Sequence, residues 1–235
     1  MIAESEKAQQ VKQRYNQFPY PNDKISALED TLKNKWIMKV INHPLFGHPK
    51  ILDIGCGTGE ISCFLSVYGD VTGIDFSKNA INKAKETQDR LKIKNIDFLI
   101  EDITKPSLNN KFDYLFCIGV LHHIPEIDLA LENIKKFMHI NSYLIISVGN
   151  KYAAWRDRNK RKRIVNENYN REIDLKNHPY SVEYSKMEFK KILKSHDFKI
   201  IKIWRNIPDV IRLITGKGEL VNFCCKLDQS KNVNK

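Results

Sequence analysis

Three glycines, Gly55, Gly57 and Gly59, stand one residue apart in ILDIGCGTGE, residues 51 to 60. Glycine inside a strand or helix costs about 1 kcal/mol relative to alanine. Three of them directly after a short apolar run therefore mark a place where something must approach bare backbone. Two carboxylates frame that turn. Asp53 lies two residues before the first glycine, and Asp75 closes VTGIDFS about twenty residues further on. An acid at that distance, ending a second strand, can accept hydrogen bonds from two ribose hydroxyls. Asp53 points a negative charge into the same pocket, which repels a pyrophosphate and suits a cationic sulfonium or an amino group. His122 and His123 follow the apolar run of FDYLFCIGVLHHIPE, residues 112 to 126. Imidazole titrates near neutrality, so either ring could take a proton from a hydroxyl or amine. Packing under a helix and bonding a carbonyl is the other role such a histidine can play.

These side chains need a scaffold, and the flanking pattern supplies one. KILDI reads as a buried strand and EISCFLSVYG as a helix closed by glycine. DVTGIDF is a strand, and SKNAINKAKETQDRLKI a helix with Ser77 as its N-cap. IDFLIEDI and FDYLFCIG are strands, PEIDLALENIKKFMH is a helix begun by Pro125, and SYLIISVG is a strand. Strands alternating with helices predict crossover units and a mostly parallel sheet. In the tail, SKMEFKKILKSHD is a helix, and FKIIKIW and ELVNFCCKL are strands. Only RNIPDVIRLITGKG separates these two strands, leaving little room for a crossover helix, so the last strand should run antiparallel. Residues 1–21 read as a polar helix broken at YNQFPYP. A second helix is expected over 27–43, with Leu28, Leu32, Trp36 and Val40 at helical spacing. The predicted organisation is an N-terminal helical cap (1–44), a core domain (45–227) with an insertion near 150–184, and a fraying tail (228–235).

With 235 residues, 42% of them hydrophobic, the chain suits one α/β domain with appendages. It has no run near the roughly 18 apolar residues of a membrane span, and its first residues lack the apolar stretch of a secretory signal. The expectation is a cytoplasmic protein. Five cysteines, odd in number and without a C-x-x-C pair, are expected to be reduced and to bind no metal. Lys and Arg outnumber Asp and Glu by 39 to 28, a net charge of +11. That excess can attract nucleic acid, membrane or an anionic small substrate, or reflect a generally lysine-rich composition. Its densest cluster, RDRNKRKR at 156–163, follows Tyr152 and Trp155, which favours stacking on RNA bases if nucleic acid is the partner.

ILDIGCGTG, VTGIDF, IEDIT at 100–104 and FDYLFCIGVLHHIPE, in that order, resemble the class I S-adenosylmethionine-dependent methyltransferases, in particular the small-molecule, type 11/12-like branch. The resemblance covers roughly residues 40 to 205. It implies a Rossmann-like, doubly wound, seven-stranded sheet with an antiparallel last strand, and S-adenosylmethionine as cofactor. The cofactor residues it implies are Asp53, Gly55, Cys56, Gly57, Gly59, Asp75, Phe76, Asp102, Ile103 and Ile118, with Asp102 on the adenine amino group. His123, and after it His122, is the implied catalytic base. The front stretch YNQFPYP resembles a lid, placing Tyr15 and Tyr20 at the substrate. HPYSVEYS, residues 178–185, resembles an acceptor-facing segment through His178, Tyr180 and Tyr184; its other reading is a surface loop with Ser185 as a cap. The implied reaction carries a methyl group to an oxygen or nitrogen of a small molecule, which the basic charge would allow to be anionic, by a monomer or homodimer. The segment CIGVLHH lacks the Asn/Asp-Pro-Pro-Tyr/Phe stretch of nucleic-acid amine methylases, and no proline precedes Cys117 as in cytosine C5 enzymes. The alternatives are an RNA methyltransferase using residues 155–163 and a cofactor-binding protein without turnover. The G-x-G-x-G spacing followed by Glu60 and Ile61, together with Asp53, stands against a nicotinamide enzyme.

Overall fold

In the computed structural model, which describes residues 5–20, 25–28, 31, 37, 47–150, 180–205 and 220–229, one sheet has the strand order β3-β2-β1-β4-β5-β7-β6. Its strands are β1 (Lys50–Ile54), β2 (Asp70–Asp75), β3 (Ile96–Ile100), β4 (Phe112–Ile118), β5 (Met138–Gly149), β6 (Phe198–Arg205) and β7 (Leu220–Leu227). The described helices are α1 (Glu6–Gln17), α2 (Glu60–Leu65), α3 (Lys78–Leu91), α4 (Ile127–Lys136) and α5 (Lys186–Ser195). Strands β1 to β5 pair in parallel, whereas β7 lies antiparallel between β5 and β6. This is the doubly wound sheet with a reversed last strand that the sequence pattern predicts.

Side chains alternate across the sheet with the period of a pleated strand. Leu52, Ile54, Leu115, Cys117, Leu144 and Ile146 enter one core, while Ile51, Phe116 and Ile145 enter another. Both faces of the central strands are covered, as parallel sheets require. Helix α3 starts where Ser77 accepts a hydrogen bond from the Ala80 N–H, and buries Ala80, Ile81, Ala84 and Thr87 along one stripe. Helix α5 starts with a reciprocal capping box between Ser185 and Glu188.

Some boundaries differ from the sequence reading for local reasons. Helix α2 stops at Leu65, because Ser66 Oγ turns back to Cys63 O and the Tyr68 N–H bonds Leu65 O. Strand β5 begins at Met138, before Ser142. Ser142 Oγ there donates to Phe112 O and accepts from the His139 N–H, bridging the register shift between β4 and β5. The helix expected over 27–43, the link 206–219 and residues 230–235 fall largely or wholly outside the described residues. Of the expected fraying tail, Asp228 is held through its N–H to Asp197 O at 2.7 Å.

The strand order reverses between β1 and β4, so a crevice opens over their carboxyl ends, which is where ligands bind in such sheets. Helix α1 lies across that edge. Ser77 Oγ donates to Tyr15 O and Asn16 Oδ1, and Asn79 Nδ2 donates to Asn16 O at 2.7 Å.

Gly59 fixes how closely the glycine turn can approach α3. It adopts φ +87°, and a Cβ there would stand 2.8 Å from Phe98 Cζ and 3.0 Å from Ala84 Cβ. Gly59→Ala should therefore destabilise the protein by about 2–4 kcal/mol, combining left-handed backbone strain with overpacking. Urea unfolding checks this.

Candidate active site

At the end of β1 the chain turns sharply. The N–H groups of Gly55 and Cys56 both donate to Ile74 O, at 2.8 and 3.0 Å. The Gly57 N–H donates to Asp75 Oδ2 at 3.0 Å, and the Ser77 N–H to Asp75 Oδ1 at 2.9 Å. Burial pushes the Asp75 carboxyl up, against the pull of these two backbone bonds. Each of its oxygens can still accept a second hydrogen bond, which is what a pair of ribose hydroxyls needs. At the neighbouring strand end, Gly119 has φ +76°, and no heavy atom of the described residues lies within 4 Å of where a Cβ would be. That opening lies beside Ile118, at the carboxyl end of β4. An acid with spare acceptors at the end of β2 and an opening at the end of β4, on either side of β1, fit a nucleoside cofactor with a bulky sulfonium end.

Asp53 lies beneath the turn with 1% of its surface exposed. Ser62 Oγ, one turn into α2, donates to its Oδ2 at 2.6 Å. No cationic side chain among the described residues pairs with it. Burial pushes the carboxyl up to about 7, with the Ser62 hydrogen bond opposing. Cys56 is buried in the same place, and burial and the nearby Asp75 and Asp53 raise its thiol well above the ordinary value.

Beyond β3, Asp102 Oδ1 accepts from the Thr104 N–H at 2.9 Å and from Thr104 Oγ1 at 2.7 Å. Lys12 Nζ of α1 stands 2.5 Å from Asp102 Oδ2. Burial pushes the Asp102 carboxyl up, but the Lys12 and Thr104 bonds outweigh it and hold the group below the usual carboxylate range. The residue expected on the adenine amino group is thus already engaged by the cap. A cavity of about 610 Å³ opens there, lined by Lys12, Asn16, Phe76, Ile100, Asp102 and Lys105 among others. Ile103 is buried, and its carbonyl accepts from Asn133 Nδ2.

On the opposite side a 3-10 turn, Leu121–His123, carries the two histidines. His123 Nδ1 is 3.0 Å from Tyr180 O. A carbonyl only accepts, so Nδ1 bears the proton and Nε2 is the basic nitrogen of the neutral ring. The His123 ring lies 5.5 Å from that of Tyr15, which also meets Phe76 at 6.5 Å. Burial, with Tyr20 and Asp75 nearby, raises the Tyr15 hydroxyl above its ordinary value. His122 turns inward, with 8% of its surface exposed, its carbonyl accepting from the Val182 N–H and its ring beside Gly149.

Tyr20 is 63% exposed, and its carbonyl accepts from the Thr58 N–H of the glycine turn at 3.3 Å. Tyr180 reaches the site through its backbone. Tyr184, expected at the acceptor, packs in the core instead. It precedes the Ser185 N-cap and packs on Phe189 with tilted rings 5.1 Å apart, a hydrophobic staple that fixes the start of α5. Burial pushes its hydroxyl up to about 12. His178 and the basic run 155–163 lie outside the described residues.

Lys12, Asn16, Ser62 and Gly119 join the site without having been expected there. Ser62 had a weak signal, as a polar residue inside EISCFL. Lys12 had none, because a lysine in a polar helix of this chain is unremarkable. Among the described residues no group of three His, Cys, Asp or Glu side chains could hold a metal ion, and no helix is long and apolar enough to cross a membrane.

The family model described as a methyltransferase domain matches residues 46–197. The ubiquinone biosynthesis O-methyltransferase of Glaesserella parasuis is 34% identical over 115 residues, 46% of this chain and 48% of that protein. A probable (S)-tetrahydroprotoberberine N-methyltransferase of Papaver bracteatum is 28% identical over 99 residues, 41% of this chain and 28% of that one. The chain thus spans less than half the length of these curated relatives. The solved structure of magnesium protoporphyrin IX methyltransferase from Synechocystis, with bound S-adenosylmethionine, superposes with a TM-score of 0.62 at 17% identity. That match covers 97% of this chain and all of the other, and at this identity it shows the fold.

The buried Asp53 sets a pH dependence. Its carboxyl is pushed up to about 7 in the folded protein, against about 3.9 in an unfolded chain. The folded state therefore holds the proton more tightly. The resulting stabilisation is complete below about pH 4 and lost as pH rises towards 7. Between pH 5 and pH 8 the wild type should lose about 2–3 kcal/mol relative to Asp53→Asn. Urea unfolding of both proteins at the two pH values measures the difference.

Proposed function

The chain belongs to the class I S-adenosylmethionine-dependent methyltransferases, and from that premise we propose that it transfers a methyl group from S-adenosylmethionine to a hydroxyl or amine of a small organic acceptor. The observation that carries the reading is that Asp75 on the glycine turn, ending β2, and His123, just past β4 with its Nδ1 proton directed at Tyr180 O, both stand at the carboxyl ends of the central strands, with Tyr15 meeting His123 and Phe76 between them. An O-methyltransferase and an N-methyltransferase both stand among the similar proteins, which supports either acceptor atom.

In this reading the cofactor supplies an electrophilic methyl group on a sulfonium. Asp75 holds the ribose hydroxyls with its two remaining acceptor positions. Asp53 places its negative charge beneath the end of the pocket that takes the cation. Gly119 leaves room beside β4, and α1, tied to Ser77 and Asn79, lies across the crevice. Holding donor and acceptor in line can supply several kcal/mol without a covalent intermediate. His123 Nε2 takes the acceptor's proton, while the Tyr180 carbonyl stabilises Nδ1–H as the ring gains positive charge. A positioned base of this kind contributes about 10²–10⁴-fold.

Calorimetry with S-adenosylhomocysteine tests the cofactor half. Asp75→Ala should weaken binding by roughly 1.5–3 kcal/mol, about ten- to a hundredfold. Absence of binding, or equal binding by the variant, would remove the reading. For the acceptor half, methyl transfer is measured over a panel of phenols and amines. His123→Ala should lower kcat by about 10²–10⁴-fold and leave S-adenosylhomocysteine affinity close to wild type. An unchanged kcat would take His123 out of the chemistry.

A further inference from the structure

Helix α1 is strapped over the crevice at both ends. Ser5 Oγ donates to Glu126 Oε1 at the start of α4, and Asn16 is tied to Ser77 and Asn79 at the start of α3. Past the helix, Tyr20 O takes the Thr58 N–H of the glycine turn. Between these ties, Lys12 sits one helical turn before Asn16 and reaches down to Asp102.

Both oxygens of Asp102 are engaged in this arrangement, Oδ1 by Thr104 and Oδ2 by the ion pair with Lys12. Oδ1 receives both hydrogen bonds from Thr104, which fills its two lone-pair directions. Oδ2 is sealed from solvent and lies 2.5 Å from the Lys12 ammonium. An amino group arriving through the adjacent cavity meets Oδ2 buried against the Lys12 ammonium while Lys12 is in place.

We propose that Lys12 is a latch on the cofactor site, and that its ammonium must leave Asp102 before the adenine end of the cofactor can seat there. The proposal rests on the cofactor reading above. Lys12 is suited to the task because it carries a point charge on a flexible four-carbon stem. Its side chain is 27% exposed and borders the cavity of about 610 Å³, so it can swing away while the helix stays tied at both ends. Entry of the cofactor then competes with an internal ion pair, and the resting affinity is lower than the pocket alone would give.

S-adenosylhomocysteine binding is measured by calorimetry on wild type, Lys12→Met, Lys12→Arg and Asp75→Ala. Removing the latch charge should tighten binding by Lys12→Met about three- to tenfold, and Lys12→Arg should bind like wild type. Raising salt from 0.05 to 0.5 M should tighten binding by the wild type but not by Lys12→Met, because added ions screen the pair. If Asp75→Ala weakens binding while Lys12→Met binds as wild type or more weakly, the latch is overturned and the cofactor reading stands. Tight binding by Lys12→Arg also overturns it, since charge would then not be the cause. Failure of the wild type to bind overturns both.

Discussion

The two oxygens of Asp75 receive backbone hydrogen bonds from different turns, one from Gly57 after β1 and one from Ser77 after β2. This carboxylate fastens the glycine turn to the start of α3, and what stands above depends on that joint. Ser77 caps α3 and also receives the end of α1 through its hydroxyl. Gly59, on the other side of the joint, rests against Ala84 of α3 and Phe98 of β3. Displacing Asp75 would therefore loosen the turn, the helix and the cap together. Burial makes its charge costly, and the two N–H bonds offset part of that cost.

The two ends of the crevice have different electrostatic character. Beneath the glycine turn, Asp53 is buried with a neutral hydroxyl as its hydrogen-bond donor, so a cationic ligand would supply the countercharge the fold leaves out. Beyond β3, Asp102 is already paired with the ammonium of Lys12. Between them Tyr15 touches both Phe76 and His123, so the cap meets cofactor-side and acceptor-side groups through one ring. An α1 that shifts at either end shifts at both.

The sequence revealed the central framework well. KILDI is a strand over the residues expected, because β1 is covered on both faces and its apolar run has no other use. Ser77 and Ser185 cap helices where a small hydroxyl residue precedes an amphipathic run. The shortness of the link after β6 carried the reversal of β7. Contacts between distant segments were hidden. Nothing in the spelling of α1 says that Lys12 reaches Asp102, since that contact depends on how the helix lies across the sheet. Neighbouring His122 and His123 keep their rings 4.0 Å apart on one 3-10 turn, yet His122 is buried and His123 half-buried, a difference set by what packs around the turn. Tyr184 misled because a residue just before an N-cap reads equally as a loop aromatic or as a hydrophobic staple.

The placement of β7 between β5 and β6 has a consequence for how the chain is made. Among the described residues β6 has no neighbour in the sheet except β7, and β5 presents an open edge until β7 arrives. On a translating ribosome, Phe198–Arg205 emerges before Leu220–Leu227, so β6 must wait for a partner that has not yet been synthesised. During that interval the nascent chain exposes the edge of β5, with its buried run Leu144, Ile145 and Ile146. Such an unpaired apolar edge is where intermediates associate wrongly. Sheet closure is thus a late event of biogenesis, and a chain cut short before residue 220 would be left with two unmatched strands.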